Sequence, residues 1–214
     1  NLPWSSDNRP IIVPPSTESL GKRNHDLRNR STGVYQQYPP EPVTADGLDV
    51  RFAVNTIAPY LLTQRLLPLL GASARVINLS SAAQASVDTE ALAGRVRLSD
   101  DFAAYAQSKL AITMWSRTLA QALGKDGPAV IAVNPGSLLG TKMVKEAFGA
   151  GQRDIRVGAE ILVRAALSEE FEAASGQYFD NDSGRFAAPH ADPLDPRKSD
   201  AVVRAIETIL SSNG

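Results

Sequence analysis

Tyr105 and Lys109 are the residues of this chain whose types and spacing first point to chemistry. They lie in a run from about Asp101 to Leu123 that reads as one long helix, and residues four apart share a helix face. An ammonium beside a phenol favours the phenolate, and a tyrosine tuned toward neutrality can exchange a proton with an alcohol or carbonyl oxygen. The same spacing also fits an ordinary half-buried tyrosine with a solvated lysine. Further polar groups stand where two apolar runs stop: Ser80-Ser81 after Arg75–Leu79, and Asn134 to Ser137 after Ala129–Val133.

Those two runs are short, apolar and unalternating, and helical patterns separate them. That is the signature of a parallel sheet covered on both faces, in which ligands bind at the carboxyl ends of the strands. Before the first strand, Thr44 or Asp46 can cap a helix carrying Val50, Val54, Ile57, Leu61 and Leu62 at helical spacing, with Pro59 inside it as a kink or local break. Ser99 or the aspartates after it cap the 101–123 helix. That helix is apolar on more than one face, so something besides its own sheet must cover it. A third strand is expected at Gln177-Tyr178-Phe179, and helices from about Arg156 to Leu167 and Lys198 to Leu210.

Composition narrows the function classes. The chain has 214 residues, 43% hydrophobic and 21% charged, with a net charge of -1 and no cysteine. One domain with a sizeable core is expected; nucleic acid and membrane are poor partners, and a thiolate site is excluded. His25 and His190 lie far apart without ligand-like neighbours, so no metal site is expected. Nothing indicates secretion, and a cytoplasmic location is expected. The chain opens Asn1-Leu2-Pro3-Trp4, as a fragment or incomplete gene model would. Residues 1–44 hold many of the prolines. They are expected to be irregular and foreign to the unit at 45–214, with the flanking prolines disqualifying Ile11-Ile12-Val13 as a strand.

With these pieces placed, the sequence resembles the short-chain dehydrogenase/reductase family over roughly Val43 to Gly184. Val54-Asn55 with Ala58-Pro59-Tyr60-Leu61-Leu62-Thr63 resembles the helix that bears its active-site asparagine. Arg75 to Ser81 resembles the strand that delivers its serine. Tyr105 and Lys109 match its Y-x-x-x-K, and Val133-Asn134-Pro135-Gly136 resembles the Pro-Gly turn beside the nicotinamide. The Ser81-to-Tyr105 gap and Tyr178-Phe179-Asp180-Asn181 look most like its retinol-dehydrogenase-like branch.

The resemblance implies a Rossmann-like, doubly wound α/β sheet and an oxidoreductase that transfers a hydride between NAD or NADP and a small alcohol or carbonyl. It implies Tyr105 as general acid/base, Lys109 as its partner and ribose ligand, Ser81 as the substrate's hydrogen-bond donor, and Asn55 as holder of a relay water. It places Leu79, Pro135, Gly136, Ser137 and Thr141, with Asn55, Tyr105 and Lys109, along the cofactor. Ser80 is an alternative donor to Ser81, and Thr141 stands one residue beyond the usual spacing. The family pairs two helices across a two-fold axis, so a homodimer or homotetramer is expected, with Ala103, Ala111, Trp115 and Leu61 as candidate surface.

The amino-terminal part departs from the family. Its strand, glycine-rich turn and helix, which cradle the pyrophosphate, have no counterpart here; Gly149-Ala150-Gly151 is followed by Asp154 and has no strand before it. The sheet is therefore expected to be incomplete in its amino-terminal half, with the Arg75–Leu79 strand lacking a parallel neighbour. A truncated remnant that no longer binds cofactor is the competing reading, and an epimerase or dehydratase that keeps the Tyr-Lys pair is a third.

Overall fold

The computed structural model describes residues 11–13, 43–141, 144, 153–187 and 190–212. Gly149-Ala150-Gly151 and most of residues 1–44 lie outside the described residues. Among those described, the sheet has the order β1 (Ile11–Val13), β2 (Arg75–Leu79), β3 (Ala129–Asn134), β4 (Tyr178–Asp180), β5 (Arg185–Ala187). The first four run parallel, and β5 folds back antiparallel on β4. Among the described residues the α-helices that accompany them are α1 (Val50–Phe52), α2 (Ala58–Leu66), α3 (Thr89–Leu92), α4 (Asp101–Leu123), α5 (Ile155–Leu167) and α6 (Pro196–Ser212).

Alternation along the strands sends side chains to opposite faces. Val76 and Val130 pack with Ala120 of α4, whereas Ile77, Ile131 and Val133 pack with Ile161 and Ala165 of α5 and with Phe171 and Phe179. Both faces are covered, as the unalternating apolar strands require. Strand order follows chain order without a reversal, so the described sheet is one part of a doubly wound fold.

Three expectations are corrected. Ile11–Val13 does form a strand, in register Ile11 with Val76, Ile12 with Ile77 and Val13 with Asn78. Pro10 precedes the strand and Pro14 follows it, so the prolines bound the pairing instead of interrupting it. β2 therefore has its parallel neighbour. Secondly, the cap of the first helix is Asp49, which accepts from the Arg51 amide at 2.8 Å, while Thr44 accepts from the Leu48 amide in the preceding turn.

Thirdly, Ala111 and Trp115, two of the residues expected at an association surface, are buried, because the second apolar face of α4 is covered within the chain. Trp115 is fully buried among α4, Tyr60 and the residues Val202 and Ile206 of α6, and the Tyr60 and Trp115 rings meet edge to face at 5.5 Å. The sequence signals α6 as a helix but does not place it, because amphipathic spacing does not say which neighbour a helix faces.

Two termini of α4 follow local rules. Asp100 caps its start, accepting from the Phe102 amide, and Gly124 ends it at φ +63°. Between α1 and α2 the chain widens into a π turn, Ala53–Ile57. Pro59 has no N–H for the carbonyl four residues back, which is that of Asn55, so the α ladder cannot run straight through.

Candidate active site

A cavity of about 250 Å³ opens at the carboxyl ends of β2 and β3. Leu79, Ser80 and Ser81 reach it from β2, Tyr105 and Lys109 from α4, and Asn134, Pro135 and Gly136 from β3. Leu139, Thr141 and Val144, with Ile155, Gly158, Ala159 and Leu162 of α5, form a mostly apolar wall. Of the residues expected from the sequence, Leu79, Ser81, Tyr105, Lys109, Pro135, Gly136 and Thr141 are therefore brought together. Asn55 and Ser137 are not in its lining.

Lys109 is 3% exposed, and its Nζ donates to the Leu79 carbonyl at 2.9 Å. The ammonium lies 5.8 Å from the centre of the Tyr105 ring. Burial disfavours its charge and pushes its pKa down to about 8. An ammonium has three donors, so groups beyond Leu79 can still be bound.

The two serines separate in role. Ser80 Oγ is buried, 2.6 Å from Thr113 Oγ1 and 3.2 Å from the Lys109 carbonyl, and so is committed to fastening β2 to α4. Ser81 is half-buried; its Oγ accepts from the Ala83 amide at 3.1 Å, which leaves the hydroxyl hydrogen free to point at a ligand. The Ser81 carbonyl accepts from Tyr178 Oη and from Gln84 Nε2, each at 3.0 Å.

Asn55 sits in the π turn behind α4, 1% exposed. Its Nδ2 donates to Ser108 Oγ at 3.0 Å, and Ser108 Oγ donates to the Tyr105 carbonyl at 2.7 Å. Its Oδ1 is buried with no hydrogen-bond partner. Asn55 thus touches the Tyr105 turn of α4 through one serine and not the cavity. Thr141 Oγ1 accepts from the Val144 amide at 3.3 Å. Ser137 is exposed, and both its amide and its hydroxyl donate to Asp182.

Nothing in the sequence marks Asp180 to Asp182 as site residues, although the Tyr178-Phe179-Asp180-Asn181 run marks the segment. They form a turn against Asn134 and Pro135. Only the β3–β4 pairing reveals this, and sequence spacing gives no hint of it.

The donor set fits one end of a nicotinamide cofactor. The apolar wall suits the flat ring, Gly136 at φ +124° gives a turn that ordinary side chains rarely adopt, and Lys109 offers donors to sugar hydroxyls. Small-molecule sites run to roughly 300–1,000 Å³, so this space fits the reacting end of such a cofactor and not a whole dinucleotide. Among the described residues no glycine-rich strand-turn-helix offers backbone amides to a pyrophosphate.

Comparison with known proteins decides the lineage. The model of the family "short chain dehydrogenase" matches residues 29–152, more than half of the chain. This chain belongs to the short-chain dehydrogenase family.

Within the family it is retinol-dehydrogenase-like. Mouse retinol dehydrogenase 13 is 35% identical over 171 residues, 72% of this chain and 51% of that protein. Human retinol dehydrogenase 12 is 33% identical over 165 residues, 71% and 52% respectively. This short-chain dehydrogenase spans about half the length of the curated relatives it matches. A crystal structure of a protein from Mycobacterium paratuberculosis superposes with a TM-score of 0.60 at 23% identity, covering 78% of this chain and 60% of that one. This likeness bears on the fold alone. A short-chain dehydrogenase from Burkholderia cenocepacia, solved in complex with NADP, superposes at 0.50 with 25% identity over 72% and 62%.

Proposed function

We propose that this chain carries the catalytic end of an NAD(P)-dependent oxidoreductase acting on a small alcohol or carbonyl compound, with Tyr105 as its general acid/base. The observation that carries the reading is the convergence of Tyr105, Lys109 and Ser81 on one cavity walled by the Pro135-Gly136 turn. Membership of the family and the retinol dehydrogenase relatives support it.

A bound nicotinamide would take or give the hydride at the substrate carbon. Tyr105 accepts the alcohol's proton in the oxidative direction and returns one to the carbonyl oxygen in the reductive direction. Ser81 holds that oxygen with its free hydroxyl hydrogen. Lys109 makes the phenolate less costly when protonated, and its remaining donors would hold the cofactor's ribose. Leu79 lends the carbonyl that orients the ammonium. Asn55 acts from behind through Ser108, and its unpartnered Oδ1 suits a water that passes protons toward Lys109. Thr141 and Ser137 belong to the cofactor side, Thr141 in the cavity lining and Ser137 beside it, held by Asp182.

A remnant that no longer takes up cofactor is the second reading. The observation favouring it is that no pyrophosphate cradle occurs among the described residues. Calorimetric titration with NADH and NADPH separates the two. The second reading anticipates dissociation constants weaker than roughly 100 μM, or no heat at all, since half a site offsets little of the cost of ordering the cofactor. Low-micromolar binding would defeat it and show a phosphate site elsewhere. A homodimer or homotetramer in the cytoplasm remains part of the reading. Its contact surface must lie away from Ala111 and Trp115, while Leu61 and Ala103 stay accessible.

A further inference from the structure

Every residue of the Asn134-Pro135-Gly136-Ser137 turn is gripped, directly or through Asn134, by one short segment at the end of β4, Asp180 to Asp182. The Asn134 Nδ2 donates to Asp180 Oδ1 at 2.7 Å and to Asp182 Oδ2 at 2.9 Å. The Pro135 carbonyl accepts from Asn181 Nδ2 at 2.9 Å. The Gly136 amide donates at 3.2 Å to Asn134 Oδ1, on the amide group that the two aspartates hold. The Ser137 amide and hydroxyl donate to the Asp182 carboxylate, at 2.9 Å and 2.5 Å. Arg153 Nη1 adds a further donor to that carboxylate at 2.6 Å, so donors from three places converge on it.

A neutral surface turn does not need so many charge-assisted bonds. Gly136 sits at φ +124°, which glycine adopts freely, but Leu138 just beyond the turn sits at φ +52°, which costs a non-glycine residue free energy. Asn134, Pro135 and Gly136 are also the part of this turn that lines the cavity.

We propose that Asp182 is a positioning residue: its carboxylate fixes the Asn134–Ser137 turn in the shape that the nicotinamide side of the cavity requires. The cofactor half of this inference rests on the function proposed above. The grip on the turn does not. Asp182 is not itself in the cavity lining; its effect passes through Asn134, which is, and through Ser137, which is not. Asn181 and Asp180 assist from the same segment, which explains why a stretch outside the cavity is so densely bonded to its rim.

The test is Asp182→Asn, which turns an amide donor toward a cluster of donors. Arg153→Gln is the comparator, since it removes only an exposed ion pair of small value. Local amide exchange at Gly136 and Ser137 is read against that of Ile131 to Val133 in β3, together with affinity for NADPH. The expected result for Asp182→Asn is exchange faster by roughly tenfold or more at Gly136 and Ser137, with β3 unchanged. NADPH affinity should fall by a similar factor at an unchanged melting temperature, and Arg153→Gln should stay within roughly threefold of the unsubstituted chain.

Unchanged exchange at Gly136 and Ser137 would overturn the proposal. So would an equal rise throughout β3, an equal effect of Arg153→Gln, or a loosened turn with full NADPH affinity. A parent chain that takes up no dinucleotide defeats the proposed function, and the exchange comparison then decides the grip by itself. If Asp182→Asn fails to fold, Ser137→Ala deletes one of the same bonds from an exposed position, and roughly twofold to fivefold faster exchange confined to the turn is expected.

Discussion

At the scale of single residues, Tyr105 and Lys109 carry separable duties. Replacing Tyr105 with Phe should abolish turnover, by roughly a thousandfold or more, and leave cofactor affinity nearly unchanged, because the phenol handles only the proton in flight. Equal turnover of the variant and the parent across pH would remove Tyr105 from its role. Lys109 has a stability signature. Its folded pKa of about 8 lies below the ordinary lysine value of 10.5, so the unfolded chain binds the extra proton between those values. Stability should therefore rise as pH climbs through that window, and below about 8 the chain carries the full cost of the buried charge. Lys109→Met should be inactive yet melt roughly 2–5 °C higher at pH 7, net of one lost hydrogen bond to Leu79. The gap should close toward pH 10.5. A melting temperature that falls at pH 7, or a gap that widens with pH, would contradict this.

At the scale of elements, α5 shapes the cavity through a missing side chain. A Cβ on Gly158 would stand 2.5 Å from Leu139 Cδ1, and Leu139 lines the cavity. Gly158→Ala gains up to about 1 kcal/mol of helix propensity, and the Leu139 methyl is a mobile end that can swing aside. Little net change in melting temperature is expected, with weaker uptake of ligand because Leu139 moves inward. A cofactor affinity equal to the parent's would show that Leu139 retreats the other way. On the opposite side, Ile206→Ala in α6 should cost about 2–5 kcal/mol in denaturant unfolding, since Ile206 is fully buried beside Trp115.

Legibility in the sequence divides along the same line. β2, β3 and α4 were legible because their apolar runs end in polar punctuation, and Tyr105, Lys109 and Ser81 were legible from family motifs. The edge strand at Ile11–Val13 was not, because its pairing with residues 76–78 is non-local and the prolines beside it carry the opposite local signal. Nor was the cover over Trp115, since periodicity reports that a face is apolar and not what will meet it. Ser80 and Ser81 could not be told apart until Thr113 was seen to hold the first.

At the scale of the whole molecule, the covered face of α4 changes what assembly requires. With α6 over Trp115, association is not needed to hide that helix. Sedimentation of Leu61→Glu against the parent is expected to weaken any dimer if Leu61 lies in its contact. An unaffected dimer would place the contact elsewhere. The order of strands carries one more consequence, which concerns synthesis. Each strand from β2 to β4 joins the sheet beside the one made just before it, so the cavity is laid down in the order the ribosome releases it. Ser81 emerges first, the Tyr105 helix next, then the Pro135 turn, and the Asp180–Asp182 segment that grips that turn comes last. A nascent chain stalled before Tyr178 would present every lining residue while its rim is still unfastened.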